Sequence, residues 1–378
     1  MLTSRPSLDM RAPLATPAPP GVKASPASHR VALGEALEGD SPRVFRDVVS
    51  VDALEKMDAR LLGKLSPPPP GALPPGVELR TDASGLRVLS LNVHWGVAGD
   101  MKLSPANESI QVLRDDARFV NSLNPDIVLV QEVQNRKVGD VRGGLPEQAS
   151  ILAHLFGASD MAFTPAIQGD PATGPHAAYG TAGYARNGYT FDRVMNVELP
   201  ALGADIETRS AGVAVAVPPE GSPASETPAT VMWTHLPHRR AEDQSLRDSH
   251  LKTLAGVADG IREDGGFTFR SPLDPRQFRA EGYPRHAVVI GGDFNQTQAP
   301  SDAAFNPSGL QHVFELGDAG PARSRVTAAD VPTCEERRID QLYQRGFTVT
   351  DVATAAVPSR ESVGPPTDHW GVLADLKR

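Results

Sequence analysis

The stretches "LRVLSLNV" (86–93) and "DIVLVQEV" (126–133), with the segment between them, decide the fold. Both are short apolar runs rich in β-branched residues, as buried strands are. Between them, "NESIQVLRDDARFVNSL" (107–123) sets Ile110, Leu113, Ala117, Val120 and Leu123 on one helical face. Strand, helix and strand of this length form a crossover unit with parallel strands. The same alternation continues downstream. "AGVAVAV" (211–217) and "ATVMWTHL" (229–236) are strand candidates joined by "PPEGSPASETP", which reads as an exposed hairpin loop. "SLRDSHLKTLAGVADGI" (245–261) is a helix, and a polar insertion follows over 262–285. "HAVVIGGDFNQT" (286–297) opens with a strand over Ala287 to Ile290, closed by two glycines. "RIDQLYQRG" and "WGVLADL" supply the last strands. No internal repeat is evident from sequence similarity. The pattern is that of an α/β protein.

The chain has 378 residues, 40% of them apolar and 5% aromatic, enough to fill a sizeable interior. No apolar run approaches the length of a membrane-spanning helix, and the first residues lack the unbroken apolar core of a secretory signal. A soluble, cytoplasmic protein is the expectation, with export by a signal-less route left open and a monomer favoured. The single cysteine, Cys334, excludes an internal disulfide and a thiolate zinc cluster. It reads as a packing residue. A net charge of −9 argues against a nucleic-acid clamp that relies on a basic surface. It does not exclude a nuclease, because a bound divalent cation supplies positive charge locally.

Residues 1–80 differ from the rest. They are proline-rich, with "PPPP" at 67–70, and lack alternating apolar patterning. Proline removes donors and fixes φ, so this arm reads as largely extended or disordered. One island, 51–65, places Leu54, Met57, Leu61 and Leu65 at helical spacing. It reads either as a short docked helix or as a marginal helix in a linker. The remainder, 81–378, reads as one domain.

Polar residues recur at the ends of the apolar runs: Asn92, Glu132, His235, Asp293 with Asn295, Asp340, and Asp368 with His369. Strand ends at one rim of an α/β sheet converge on a shared crevice. Four carboxylates, two amides and two imidazoles cannot be buried there together without a compensating cation. A hard divalent ion fits oxygen ligands of this kind, Mg²⁺ best, with Mn²⁺ as the alternative. Singly, each residue has a duller reading: a turn aspartate beside "GG", a strand-end amide, a partly buried histidine. The ordered recurrence weakens all of these together.

The set "LSLNV", "VLVQEV", "YGTAGYAR", "WTHL", "GGDFN", "RIDQLY" and "TDHWGV" resembles the endonuclease/exonuclease/phosphatase family. The resemblance runs from about Leu86 to Leu376. It implies a four-layered α/β sandwich, two packed mixed sheets flanked by helices, with the site at one rim. By matching motifs, Glu132 would be a direct metal ligand, Asn92 would sit beside it, and Asp368 would complete the metal's surroundings. Asp293 and His369 would form the pair that holds and deprotonates the attacking water, with Asp340 orienting His369. Asn295 would bond to a phosphate oxygen, joined on the substrate side by Tyr179 and Thr181. His235 would stabilise the transition state or protonate the leaving oxygen.

The activity so implied is metal-dependent hydrolysis of phosphate esters, foremost a phosphodiesterase or nuclease acting by in-line attack of water. Alternatives are a phosphomonoesterase on a small phosphate such as an inositol phosphate, a sphingomyelinase-like diesterase, and a catalytically silent binding module. The substrate is a phosphate ester, with nucleic acid among the candidates. Departures from the family pattern are Thr181 where many relatives have Asn, Gly371 where proline is usual, and His250 near a common glutamine. Arg209 matches a recurrent family arginine and reads as structural. Trp95, Trp233 and Trp370 lie near site residues; they read either as props behind the strands or as stacking platforms. The insertion 262–285 and "RNGYTFDR" (186–193) are the specificity-loop candidates. "LPHRR" (236–240) and "QNRK" (134–137) are small basic patches.

Because the arm precedes the first motif, deleting residues 1–45 is expected to leave soluble, active protein. Expression and a phosphate-ester assay of the truncated chain check this, and loss of soluble protein would show that the arm packs into the fold.

Overall fold

Strand and helix alternate as the apolar pattern requires, and the strands gather into two six-stranded sheets. The computed structural model describes residues 67–73, 77, 85–94, 106–135, 148–168, 178–199, 209–221, 228–237, 244–261, 267–270, 277–280, 284, 287–314, 333, 339–356 and 369–378. The amphipathic stretch 51–65, Trp95, Cys334 and Asp368 lie outside these residues.

The first sheet holds β1 (Leu86–Asn92), β2 (Ile127–Asn135), β3 (Asp160–Gln168), β4 (Ala178–Ala185), β13 (Thr348–Ala356) and β14 (Trp370–Lys377), in the order β13-β14-β1-β2-β4-β3. The second holds β5 (Thr190–Glu198), β6 (Ser210–Val217), β7 (Ala229–His235), β10 (Val288–Asp293), β11 (Gln311–His312) and β12 (Asp340–Arg345), in the order β11-β12-β10-β7-β6-β5. β1 and β2 are parallel and joined by helix α1 (Ala106–Leu123). β7 and β10 are parallel and joined by helix α3 (Gln244–Gly260). The other pairings are antiparallel, so both sheets are mixed. Helix α2 (Gln148–Phe156) joins α1 outside the first sheet, and α4 (Gln298–Phe305) joins α3 outside the second.

Alternation along each strand divides the apolar residues among three cores. On β1, Leu89 and Leu91 face α1 and α2, while Leu86 and Val88 face the opposite sheet. On β10, Val288 and Ile290 face α3 and α4, while Ala287 just before it and Val289 face inward. Two helix–sheet cores and one sheet–sheet core make four layers, as the resemblance implied.

The two sheets meet closely around Trp233, which is fully buried. A Cβ on Gly212, its neighbour on β6, would come within 2.0 Å of the indole, and one on Gly183 of the facing sheet within 3.1 Å. Gly291 plays the matching part on β10: a Cβ there would stand 2.5 Å from Leu342 and 2.7 Å from Leu129 of the first sheet. Of the two readings offered for the tryptophans, Trp233 is thus a prop between sheets.

Strand directions sort the connections into two rims. β1, β2, β7 and β10 end at one rim, where β4, β6, β12 and β14 begin. The insertion 262–285 was a candidate for a specificity loop, but it leaves α3 at the opposite rim. Its described parts form a hairpin of β8 (Phe267–Arg270) and β9 (Gln277–Ala280). Pro284 then accepts a hydrogen bond from Thr230 at the start of β7, roughly 17 Å along the strand from His235. "RNGYTFDR" likewise turns from β4 into β5 at that far rim, with Arg186 bound to the Phe156 and Pro125 carbonyls. Periodicity places strands but does not orient them, so the rim at which these two segments lie is not legible in the sequence.

Near the far rim the arm touches the helical layer. Pro68 accepts a hydrogen bond from Asn121 of α1, and Leu73 packs against the first helix–sheet core.

One residue of α1 conflicts with its surroundings. Asp116 is 0% exposed and neither carboxylate oxygen has a hydrogen-bond partner. Burial, and then the neighbouring Asp115, hold its carboxyl well above the usual carboxylate range. A raised folded-state pKa favours the neutral acid. Stability from this group is therefore complete below the unfolded pKa of about 3.9 and is lost as pH rises through the folded value. Asp116→Leu is expected to stabilise the fold at pH 8 by about 1–3 kcal/mol, the cost of an unmet buried polar group. The gain should shrink towards pH 4, as urea denaturation at both pH values will show.

Candidate active site

The near rim gathers the polar residues. On the second sheet, Asp293 pairs in register with His235 of β7 on one side and Asp340 of β12 on the other. Strand alternation gives all three the inward face that Trp233, Val289 and Leu342 occupy deeper in. One row of neighbouring side chains, spaced by the strand separation, therefore faces the first sheet.

The first sheet answers with Asn92 and Glu132. Asn92 ends β1 on its inward face. Glu132 would by simple alternation share the face of Val130, towards the helices. A β-bulge between Val130 and Val133 breaks the register, and Glu132 takes a left-handed φ of 60°. The bulge turns its carboxylate into the cleft. Asn92 Nδ2 donates to Glu132 Oε1 at 3.1 Å and to Asp293 Oδ2 at 3.1 Å, while Asn92 Oδ1 accepts from the His94 amide. The amide thus ties the two sheets together through their carboxylates.

His369 completes the cluster from the segment before β14. Its Nδ1 lies 2.7 Å from Asp340 Oδ2, and its Nε2 lies 3.8 Å from Asp293 Oδ2. A proton on Nδ1, held by the carboxylate, puts the basic lone pair of the ring on Nε2. Asp293 is 1% exposed, and its Oδ1 accepts from the Asn295 amide at 2.8 Å. Burial first, with the Asp340 and Glu132 carboxylates, pushes the Asp293 carboxyl up to about 7, against the pull of His369 and the Asn295 amide. That value suits a group that exchanges a proton near neutrality.

His235 sits on the other flank. Its Nε2 is 3.5 Å from Asp293 Oδ2 and 3.9 Å from Glu132 Oε1. Arg209 Nη1 lies 2.9 Å from its Nδ1. A guanidinium only donates, so Nδ1 accepts and the proton resides on Nε2, facing the carboxylates. Asn295 Nδ2, 3.1 Å from the same Nε2, also only donates, so with the proton on Nε2 this contact is no hydrogen bond, and the amide's bond goes to the Leu236 carbonyl at 2.9 Å. Arg209, structural by its sequence reading, holds the His235 ring, a contact that depends on the packing of the strand after "ETR" beside "WTH" and leaves no signal in the sequence.

Thr181 lies on β4 opposite the Glu132 bulge, buried, with no hydrogen-bond partner for Oγ1. Tyr179 is placed by its backbone on the same strand, opposite Gln134. Its side chain, like Asp368, lies outside the described residues. His250 is buried within α3.

Two groups can hold a cation among the described residues: Glu132, His235 and Asp293, and Asp293, Asp340 and His369. Within each, the ligand atoms lie within 4.8 Å of one another. Asp340 Oδ1 is buried without a hydrogen-bond partner. Three carboxylates with an unmet oxygen and a raised pKa fit a hard divalent cation. No helix among the described residues is long and apolar enough to cross a membrane.

No family profile and no curated protein matches the sequence. Solved structures do match the fold. An endonuclease/exonuclease/phosphatase protein from Beutenbergia cavernae is 20% identical, with 78% of this chain and 72% of that one covered, at a TM-score of 0.53. The catalytic domain of human Nocturnin with a bound sulfate anion is 16% identical, covering 81% and 99%, at 0.53. TDP2 from D. rerio in complex with a single-strand DNA product is 17% identical, covering 78% and 100%, at 0.52.

Proposed function

We propose, from the premise that this chain has the endonuclease/exonuclease/phosphatase fold, that it is a divalent-metal-dependent hydrolase of phosphate esters. A phosphodiesterase or nuclease is the form the site supports best, carried by a catalytic domain over 81–378. One observation carries the reading. His235, Asp293 and Asp340 stand in one row on adjacent strands, facing Glu132 and Asn92 across the cleft, with His369 bridging Asp340 and Asp293.

Glu132 would hold the cation, with Asp368 beside it and Asn92 fixing the Glu132 carboxylate. When bound, Mg²⁺ or Mn²⁺ supplies Lewis acidity and neutralises phosphate charge. The protein's own groups do the rest. Asp293 and His369 hold the attacking water and take its proton, with Asp340 fixing the imidazole. His235 presents Nε2–H to the charge that develops on the phosphoryl or leaving oxygen, with Arg209 keeping that tautomer. Asn295 offers its second amide hydrogen to a non-bridging oxygen, and Thr181 and Tyr179 would meet the substrate from β4. The Nocturnin sulfate and the TDP2 single-strand product support an anionic, nucleic-acid-like ligand.

A panel of plasmid, abasic duplex, sphingomyelin and inositol phosphates tests the reading, with Mg²⁺ or Mn²⁺ present and with a chelator added. Cleavage of a nucleic-acid diester that the chelator stops is expected. Release of inorganic phosphate alone would reassign the site to monoesters, and no turnover of any substrate would refute the proposal.

A further inference from the structure

The ladder of the second sheet fixes His235 and Asp293, but the residues just past them leave it and need another hold. Asn295 has a left-handed φ of 50°, which a residue other than glycine keeps only where its surroundings enforce it. Its side chain donates to the Leu236 carbonyl at 2.9 Å and so ties the chain after β10 to the chain after β7. Arg247, near the start of α3 and 6% exposed, donates from Nη1 to the next carbonyl, that of Pro237, at 3.3 Å. Its Nη2 donates to Gln244 Oε1 at 3.0 Å. A guanidinium only donates, and this sets the amides that follow. Gln244 turns Oε1 to Arg247 and hence Nε2 to Gln296 Oε1, at 3.1 Å. Gln296 in turn donates from Nε2 to Ser301 Oγ at 3.3 Å. Gln341 of β12 holds the Gln296 backbone from the other side, with Nε2 2.7 Å from the carbonyl. One buried cation thus reaches both strand ends, directly past His235 and through Gln244 beside Asn295.

We propose that Arg247 is a positioning residue, which keeps His235 and Asn295 in place in the cleft through Pro237 and through the Gln244–Gln296 relay. This rests on the proposed phosphate-ester chemistry and adds the group that aligns two of its side chains. Burying a guanidinium is costly unless its donors find acceptors. Arg247 finds two of them at the rim, one on each route to the site. An arginine that served only the packing of α3 would have no need to set the polarity of two glutamines beside a strained residue. Groups that act late in a reaction must be held closely, and a misplacement of about 1 Å can cost about 100-fold in rate.

The test compares the full-length wild type with two variants. Arg247→Met keeps an apolar stem and removes the donors, while Gln244→Leu breaks the relay and leaves the Pro237 bond. With Mg²⁺ and a generic phosphodiester, Arg247→Met is expected to lower kcat about 10–100-fold with KM within about twofold, and Arg247→Lys to recover part of the loss. Gln244→Leu should lower kcat by itself but add nothing to Asn295→Ala, since the two act as a unit. Nitrogen-15 spectra of the His235 ring and the Asn295 side-chain amide read position without turnover. The wild type should show one His235 tautomer, with the proton on Nε2. Arg247→Met should broaden or average the ring signals, and Gln244→Leu should shift the Asn295 amide. Wild-type rates in Arg247→Met, unchanged spectra of both groups in the variants, or losses that multiply in the Gln244→Leu, Asn295→Ala double variant would each overturn the proposal. Should Arg247→Met not fold, Gln244→Leu decides by the same spectra and the double variant. A wild type without turnover that still shows these spectral changes would sink the catalytic reading and leave the positioning role standing.

Discussion

Replacing His369 with alanine is expected to lower hydrolysis of a generic phosphodiester by about 10²–10⁴-fold, the usual contribution of a positioned acid–base group. The imidazole links the buried Asp340 carboxylate, at 2.7 Å, to Asp293, at 3.8 Å. Without it, Asp340 loses its hydrogen-bond partner and Asp293 loses the imidazole that stands between them. Alanine also leaves Asp340 buried without its partner, which destabilises a fold. His369→Asn supplies the control, because its amide can still donate to Asp340 while it cannot serve as a base. Asp293→Ala should fall as far as His369→Ala, and the double variant little further, since groups acting as a unit are not additive. Steady-state rates beside circular dichroism decide the matter. Equal turnover by all variants and wild type would remove both residues from the mechanism.

Gly212→Ala is expected to cost about 3 kcal/mol of stability, at the upper end for overpacking a core. The new methyl would stand 2.0 Å from the Trp233 indole, which is confined on its other side by Gly183, 3.1 Å from a Cβ built there. An indole wedged between two sheets has nowhere to retreat. Trp233→Phe in the same chain should restore part of the loss by freeing the volume, a coupling that a double-mutant cycle in urea would measure. His235 lies two residues beyond Trp233 on the same face, so activity should fall with stability.

The first crossover was legible because apolar spacing on 107–123 and two unbroken apolar runs carry strong periodic signals. β1, α1, β2, β7, α3 and β14 lie where that pattern put them, within a residue or two at their ends, while β10 runs three residues past the expected Ile290, to Asp293. β3 has a proline in "DMAFTPAIQ", β5 and β13 mix charges into their runs, and α2 is a nine-residue helix. Those signals are local and weak, and only tertiary packing raises them into strands and a helix. At the site, recurrence of acids at strand ends marked Asp293, Asp340 and Glu132. What sequence could not show is how Glu132 reaches the cleft: that depends on a bulge and one left-handed residue. The Arg209–His235 contact was hidden for a similar reason, since it joins residues on neighbouring strands whose register no spacing rule reveals.

The cation is the hinge of the account, and Glu132 is its proposed ligand. Titrating Mn²⁺ into the wild type and into Glu132→Gln, with free Mn²⁺ followed by electron paramagnetic resonance, measures it without relying on turnover. The account predicts saturable binding by the wild type and affinity at least about tenfold weaker in the variant. Failure of the wild type to bind Mn²⁺, or identical titrations for the two proteins, would contradict it.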